Sequence, residues 1–424
     1  MSWCLGVSVG KMLSRAFSIR NPQSAIRNFC LFLLAAIIPL NVPAQTTAVV
    51  HLKDGRTEKI VFEAAQFESA DNALVRGQAS GRRVEFRAPE IWQIEFGAEP
   101  LPRGSTEQLW LNDGTRLTGQ IAQWNGPQRP IVQSDLFRSL AVWDDAIIGL
   151  TRGWPPLPRL PAAAADKDLL CTTDGDQMIG RFLQIDMAAV GFRSDLGTIS
   201  CPRAKVSALV LAPRKVAKPE ETPWVLRFAN DDRVWTKSWG IESGRLRCAI
   251  GGSNPTVPAG LLRRAVHLDP SVEVFSRIQP QNFTMQPLLD GTRAIIVDHG
   301  PGDCALRVGT REYLFGLFLR PECELDYALS DGDEFFLAEL GLSTELTEDK
   351  DSPAGGFAHR ARASFAVGDG PWKTFALDSR AAPVAVALPL AGARRLRIRV
   401  EAADDWGCGA HVVLGEPVLT KNKR

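Results

Sequence analysis

The stretch "YLFGLFLRPECELDYAL", Tyr313 to Leu329, opens as apolar as a secretion signal and closes in strict alternation. In its second half Cys323, Leu325, Tyr327 and Leu329 fall on one side, and Glu324 and Asp326 on the other. That period of two belongs to a strand with one wet face. The same pattern returns in "RRLRIRV" (394–400), where Leu396, Ile398 and Val400 alternate with Arg395, Arg397 and Arg399. With "FFLAELGL", "RASFAVGDG", "PWKTFAL", "PVAVALPL" and "AHVVLGEPVL" the count reaches about eight strands over about 150 residues, which two facing sheets bury economically.

Upstream of this region the sequence repeats itself. "VHLKDGRTEKIVF" at 50, "LWLNDGTRLTGQI" at 109 and "LLCTTDGDQMIGRF" at 169 align on Gly55, Gly114 and Gly175. Each Asp-Gly lies between apolar runs of strand type, and glycine supplies the positive φ that a tight hairpin demands. "VQSDLFRSL" at 132 matches "FRSDLGTIS" at 192, so the correspondence covers a whole module. A weaker fourth copy begins at Trp224 with "WVLRFANDDRVW", where Asp231-Asp232 takes the turn. Each unit reads as a four- or five-stranded antiparallel meander of SH3-like size, too small to bury much surface alone, so packing between copies is expected. Proline-rich connections such as "WPPLPRLPAAAADK" (154–167) read as semi-rigid spacers.

Of the 424 residues, 45% are hydrophobic and 23% charged, a globular balance, and 36 Gly and 28 Pro punctuate strand-forming runs. The fold class that follows is all-β: tandem small antiparallel meander or barrel-like modules, then a two-sheet β-sandwich. Residues 1–44 read as a signal peptide, with Lys11, Arg15, Arg20 and Arg27 before the apolar run "FCLFLLAAIIPL" and "VPA" before Gln45. A retained anchor is the alternative, although a run of about twelve residues falls short of the roughly twenty that span a bilayer. Repeats then occupy 45–100, 105–153, 168–212 and 223–269, and the sandwich 271–421.

Removal of the leader takes four of the 49 basic residues and no acidic one, leaving 45 against 48. Nothing basic enough to track nucleic acid or hold a membrane surface remains. Six cysteines remain of eight, and six allow fifteen pairings. Cys171 and Cys201 bracket repeat 3, either as a bridge or as separate buried thiols. The five histidines are scattered, without HExxH or a CxxC, so no metal or cofactor is expected. There is no GxSxG or GxGxxG, and "GVSVGK" is one residue short of a phosphate loop. The acids Asp144-Asp145, Asp231-Asp232, Asp404-Asp405, "DGDE" at 331 and "TEDKD" at 347 stand at turns, where Asp satisfies backbone donors, so no catalytic pair is expected.

The motifs of the C-terminal region, taken in order, resemble the carbohydrate-binding module that accompanies family 98 glycosyl hydrolases, the NPCBM domain, related to carbohydrate-binding module family 51. The opening stretch is similar to that family's Gly-Leu-Gly-x-His strand and the strand after it. "DEFFLAELGLS", "ASFAVGDGPWKTFAL", "PVAVALPLAGARRLRIRV" and "GAHVVLGEPVL" are similar to its later strands. The resemblance covers about a third of the chain and implies a jelly-roll-like, glycan-binding β-sandwich without catalysis of its own. Phe318 and Arg320 stand where the family has Gly and His, and its closing Asp-His-x-x-Trp is reduced to Ala410, His411 and Leu414. Sugar recognition needs an aromatic face and a few fixed polar groups. The candidate ligand-binding residues are therefore Trp406, Arg320, His411, Trp372, Asp404 and Asp405. The expected partner is a glycan or polysaccharide, bound by an exported protein of the envelope or exterior with no stable membrane span. The alternative is a scaffold whose sandwich has lost sugar binding and whose partners are envelope proteins.

Overall fold

The computed structural model describes residues 46–67, 74–101, 105, 107–125, 129–153, 160–161, 166–212, 223–285, 295–300, 304–343, 359–390, 392–403 and 410–421. The expected leader lies outside them. Among the described residues the chain is all-β, and no helix is long and apolar enough to cross a membrane.

Four copies of one unit fill residues 46–267. Repeat 1 runs through Thr46–Leu52, Thr57–Phe67, Leu74–Ala79, Arg82–Arg87, a one-turn 3-10 helix at Ala88–Glu90 and a last strand Ile91–Phe96. The last strand returns to pair with the first, Val50 facing Ile94, so the unit curls into a small barrel. Repeats 2, 3 and 4 open on Glu107–Leu111, Asp168–Thr172 and Trp224–Phe228 and close on Ile147–Arg152, Val206–Val210 and Leu262–His267. The turn after the first strand is the same in each: the amides of Gly55, Gly114, Gly175 and Asp231 donate to the carbonyls of Leu52, Leu111, Thr172 and Phe228. All four residues lie in the left-handed region, at φ of 81°, 94°, 92° and 66°. The loop has three residues with a single positive φ at its end, the arrangement that ends in a bulge. Repeat 4 meets this requirement with Asp231, one of the few residues besides glycine that tolerate it.

The copies pack in pairs that are not neighbours in sequence. The last strands of repeats 1 and 4 run antiparallel about Ile94 facing Ala265, with Glu95 opposite Arg264 and Gln93 opposite Val266. Those of repeats 2 and 3 do the same about Leu150 facing Leu209, with Gly149 opposite Val210 and Thr151 opposite Ala208. Counted from the 3-10 turn, both pairs are centred on the fourth residue of the strand. The second strand of repeat 1 likewise meets Trp239–Glu242 of repeat 4, Ala65 on Ile241, and the second strands of repeats 2 and 3 meet at Trp124 on Ile185. Each pair is thus joined by a local two-fold relation, repeats 1 and 4 enclosing 2 and 3 along the chain. Repeats 2 and 4 join the pairs through the Trp235 amide on Thr115 and the Thr118 amide on Asp232. One apolar core runs through all four.

The sandwich follows directly. One sheet holds, in order, Ile295–Val297, Gly316–Leu319, Val412–Lys421, Asp333–Leu342 and Val384–Pro389, with Val272–Val274 on Val412–Lys421. The other holds Asn282–Met285, Cys323–Ala328, Arg395–Ala402, Arg360–Val367 and Lys373–Asp378. The stretch 313–329 therefore crosses from one sheet to the other, turning at Glu322 with φ +60°. Its first half is apolar throughout because both faces are covered: Leu317 and Leu319 enter the sandwich core, while Phe318 packs behind the sheet with Tyr313 and Val413.

Repeats and sandwich form one compact body. Trp92, Val225 and Val266 of repeats 1 and 4 share an apolar cluster with Val274, Phe315, Leu337 and Val418 of the sandwich. Lys53 Nζ donates to Asp269 at 2.9 Å and Ser271 at 2.7 Å, and the Thr420 hydroxyl donates to the Lys53 carbonyl at 3.0 Å. Cys171, Cys201, Cys248 and Cys323 are free, buried thiols. A bridge between Cys171 and Cys201 does not form because Cys171 packs on the outside of its barrel with Leu169, Ala208 and Val210, whereas Cys201 belongs to the shared core.

Candidate functional site

The strand registers gather several chain connections at one end of the sandwich. Met285 faces Cys323, Cys323 faces Val400, Ile295 faces Leu319, Leu342 faces Val412 and Ala361 faces Ala402. The strand ends that bracket 286–294, 344–358 and 404–409 all lie here, as does the turn 320–322. Trp406, Asp404 and Asp405 lie outside the described residues.

Arg320 and His411 come together at the same place, one residue beyond the pair Leu319 and Val412. Arg320 is half-buried. His411 is buried, its ring stacked on Phe318 with centroids 4.7 Å apart, and its carbonyl accepts the Ser343 amide at 2.8 Å. Its ring face is thus used inside the protein. Trp372 lies toward the opposite end, ahead of Lys373, which faces Phe365. It sits under the guanidinium groups of Arg397 at 5.0 Å and Arg399 at 4.5 Å, on the outer face of the second sheet. Partly exposed cation–π contacts of this kind are worth about 0.5 to 1 kcal/mol.

Arg399 links the two ends. Its Nε and Nη2 donate to Glu324 Oε2 at 3.0 and 2.9 Å, and the same side chain borders a cleft of about 350 Å3 shaped by Thr284, Met285, Glu322 and Glu401. Glu322 is fixed in turn, its Oε1 accepting the Ala402 amide at 3.0 Å. The Cys323 thiol beneath is pushed up to about 12, first by burial and then by Glu322, so it stays protonated and inert. The arrangement offers carboxylate acceptors, a guanidinium donor and a hydroxyl around an open recess, a set suited to the hydroxyls of a sugar. Among the described residues no cluster of His, Cys, Asp and Glu could hold a metal ion.

Arg399, Glu324, Thr284 and Glu401 are absent from the residues singled out by sequence. The signal for two of them was present: the outward acids of "CELDYAL" and the outward arginines of "RRLRIRV" face each other in register, Glu324 on Arg399 and Asp326 on Arg397. Opposite charges directly across two strands mark such a pairing.

No family model matches the chain, and no curated protein matches it. Among solved structures, similarity is found to the family 51 carbohydrate-binding module of a Clostridium perfringens family 95 glycoside hydrolase, determined with methyl-galactose. It is 17% identical over 35% of this chain and 99% of the other, with a TM-score of 0.30. The tandem family 51 modules of the family 98 glycoside hydrolase from Streptococcus pneumoniae are 10% identical over 60% of this chain and 88% of theirs, with a TM-score of 0.30. A family 61 module determined with β-1,4-galactotriose is 9% identical over 35% of this chain and 94% of its own, with a TM-score of 0.21. At such scores the weight of any functional reading falls on the chain's own residues.

Proposed function

We propose that this is an exported, non-catalytic protein that binds carbohydrate at the end of its C-terminal sandwich, with the repeats as the platform on which that sandwich is held. The observation that carries the reading is the meeting of the Glu324–Arg399 pair, the recess beside it, and the strand ends leading into Asp404-Asp405-Trp406. An indole supplies the apolar platform for a sugar ring, and fixed charged groups supply directional bonds to its hydroxyls. The order of motifs shared with the NPCBM family points the same way.

Glycan-array and calorimetric titration of the whole mature protein test it. Saturable binding is expected, weakened at least tenfold by Trp406→Ala and also by Arg399→Ala, with no new reducing ends on prolonged incubation. Silence across a broad panel, or binding indifferent to Trp406→Ala, overturns it. The occupied ring faces of His411 and Trp372 favour the second reading, a scaffold that meets other proteins of the envelope, and that reading takes over if the panel is silent.

A further inference from the structure

A second recess lies where the repeats meet the sandwich. It is a cleft of about 410 Å3 between the last strands of repeats 1 and 4, the hairpin formed by Arg307–Val308 and Arg311–Glu312, and the segment 380–383. Arg227, Arg263, Arg264, Arg311 and Arg380 line it against Glu95 and Glu312. The carboxylates here are already engaged. Glu312 meets Arg227 at 3.2 Å, Arg233 at 2.5 Å and Arg307 at 3.1 Å, and Asp231 meets Arg227 at 3.0 Å and Arg263 at 3.3 Å. Glu95 and Glu339 are shared between Arg264 and Arg311, and Glu416 meets Arg264.

Along the wall of the cleft five arginines thus stand against two glutamates. Burial holds Glu339 above the ordinary carboxylate range against the pull of Arg264 and Arg311. Two buried donors, Arg227 Nε and Arg311 Nε, have no hydrogen-bond partner among the described residues, and both side chains line the cleft. Buried donors are ordinarily satisfied, and a guanidinium fork matches a planar or tetrahedral oxyanion.

We propose that this cleft binds a small ligand bearing a carboxylate or sulfate oxyanion, whose body rests on the small apolar wall of Ala98, Ala381 and Pro383. The recess is of the size that takes one small molecule. The site shares no lining residue with the recess beside Glu324 and Arg399, so its fate does not depend on the reading given above.

The test is calorimetric titration of the whole mature protein at low ionic strength with glucuronate, glucose 6-sulfate and, as neutral control, glucose. Saturable binding of one or both anions is expected, with none for glucose, and the preferred anion tells carboxylate from sulfate. Arg263→Gln and Arg380→Gln are each expected to weaken it at least tenfold, and Trp406→Ala to leave it unchanged. Arg380 is exposed, so its variant reads binding even where Arg263→Gln alters packing. Absence of binding by both anions at millimolar concentration overturns the proposal, as does binding that survives both arginine substitutions or is lost with Trp406→Ala.

Discussion

His267 ends the last strand of repeat 4 and is buried against repeat 1. Its ring stacks on Trp224 at 4.2 Å, and its Nδ1 lies 3.1 Å from the Ala88 carbonyl and 3.2 Å from that of Ile91, so this nitrogen carries the proton. Burial lowers its pKa to about 4, outweighing the pull of Asp269. The folded state therefore holds the neutral ring, and between pH 4 and 6.5 the unfolded chain binds more protons. The stability this contributes is complete above about pH 6.5 and lost as pH falls toward 4, a difference of roughly 3 kcal/mol. Urea unfolding of wild type across that window should show stability rising with pH, and His267→Gln should flatten the slope; an unchanged slope would assign the dependence to other groups. The turn glycines give a second comparison at this scale. A Cβ at Gly175 meets open space, so Gly175→Ala should cost only the left-handed backbone strain, about 1 to 2 kcal/mol. At Gly114 the same Cβ lies 2.9 Å from the Trp235 indole, and Gly114→Ala should cost clearly more. Equal losses at the two positions would mean that the indole yields freely.

Between elements, the repeat was legible because it is written in local chemistry: a three-residue loop that must end in a left-handed residue recurs wherever "DG" does, and Asp231 could stand in for glycine in the fourth copy. Which copies pair was not legible, because that is decided by strands with no local mark. The last strands of repeats 1 and 4 carry Gln93, Glu95 and Arg264 where repeats 2 and 3 carry Gly149, Thr151 and Ala208, and only the docked sandwich explains the charged set. Of the candidate site, Arg320 and His411 were singled out by the family pattern, but their meeting at one end was not. Arg399 required knowing that two alternating strands are neighbours, and Trp372 proved to be held by arginines of its own sheet. Repeats 2 and 3 are locked by a buried pair, Arg203 with Nε 2.8 Å from Glu107 Oε1 and its Nη1 on the carbonyls of Ile121 and Asp186, both at 2.7 Å. Arg203→Ala strands Glu107 in the interior and should cost about 3 to 5 kcal/mol. The double variant Arg203→Met with Glu107→Leu replaces both charges by apolar side chains, leaves neither carboxylate nor guanidinium stranded, and should recover much of that loss. Denaturant midpoints of the single and double variants decide it, and an Arg203→Ala midpoint equal to wild type would remove the lock.

Over the whole molecule the sandwich and the repeats share apolar surface that neither can expose at no cost. Trp92 is 5% exposed and packs in the cluster that includes Val266, Phe315, Leu337 and Val418. Gly55 at the first hairpin turn lies so close that an added Cβ would stand 3.1 Å from Ala387 of the sandwich. Around this contact Arg264 reaches Glu416, and Lys53 reaches Asp269, so loss of the interface would also strand buried charges. Two bodies coupled this strongly unfold together when the interface free energy exceeds the difference between their own stabilities. Calorimetry of the protein should therefore give one cooperative transition spanning repeats and sandwich. Trp92→Ala removes a large buried side chain at a cost of about 3 to 5 kcal/mol, and because the loss falls on the interface it should split the transition in two. Two transitions already present in wild type, or a single transition in the variant that merely shifts downward, would show that the sandwich does not depend on its platform.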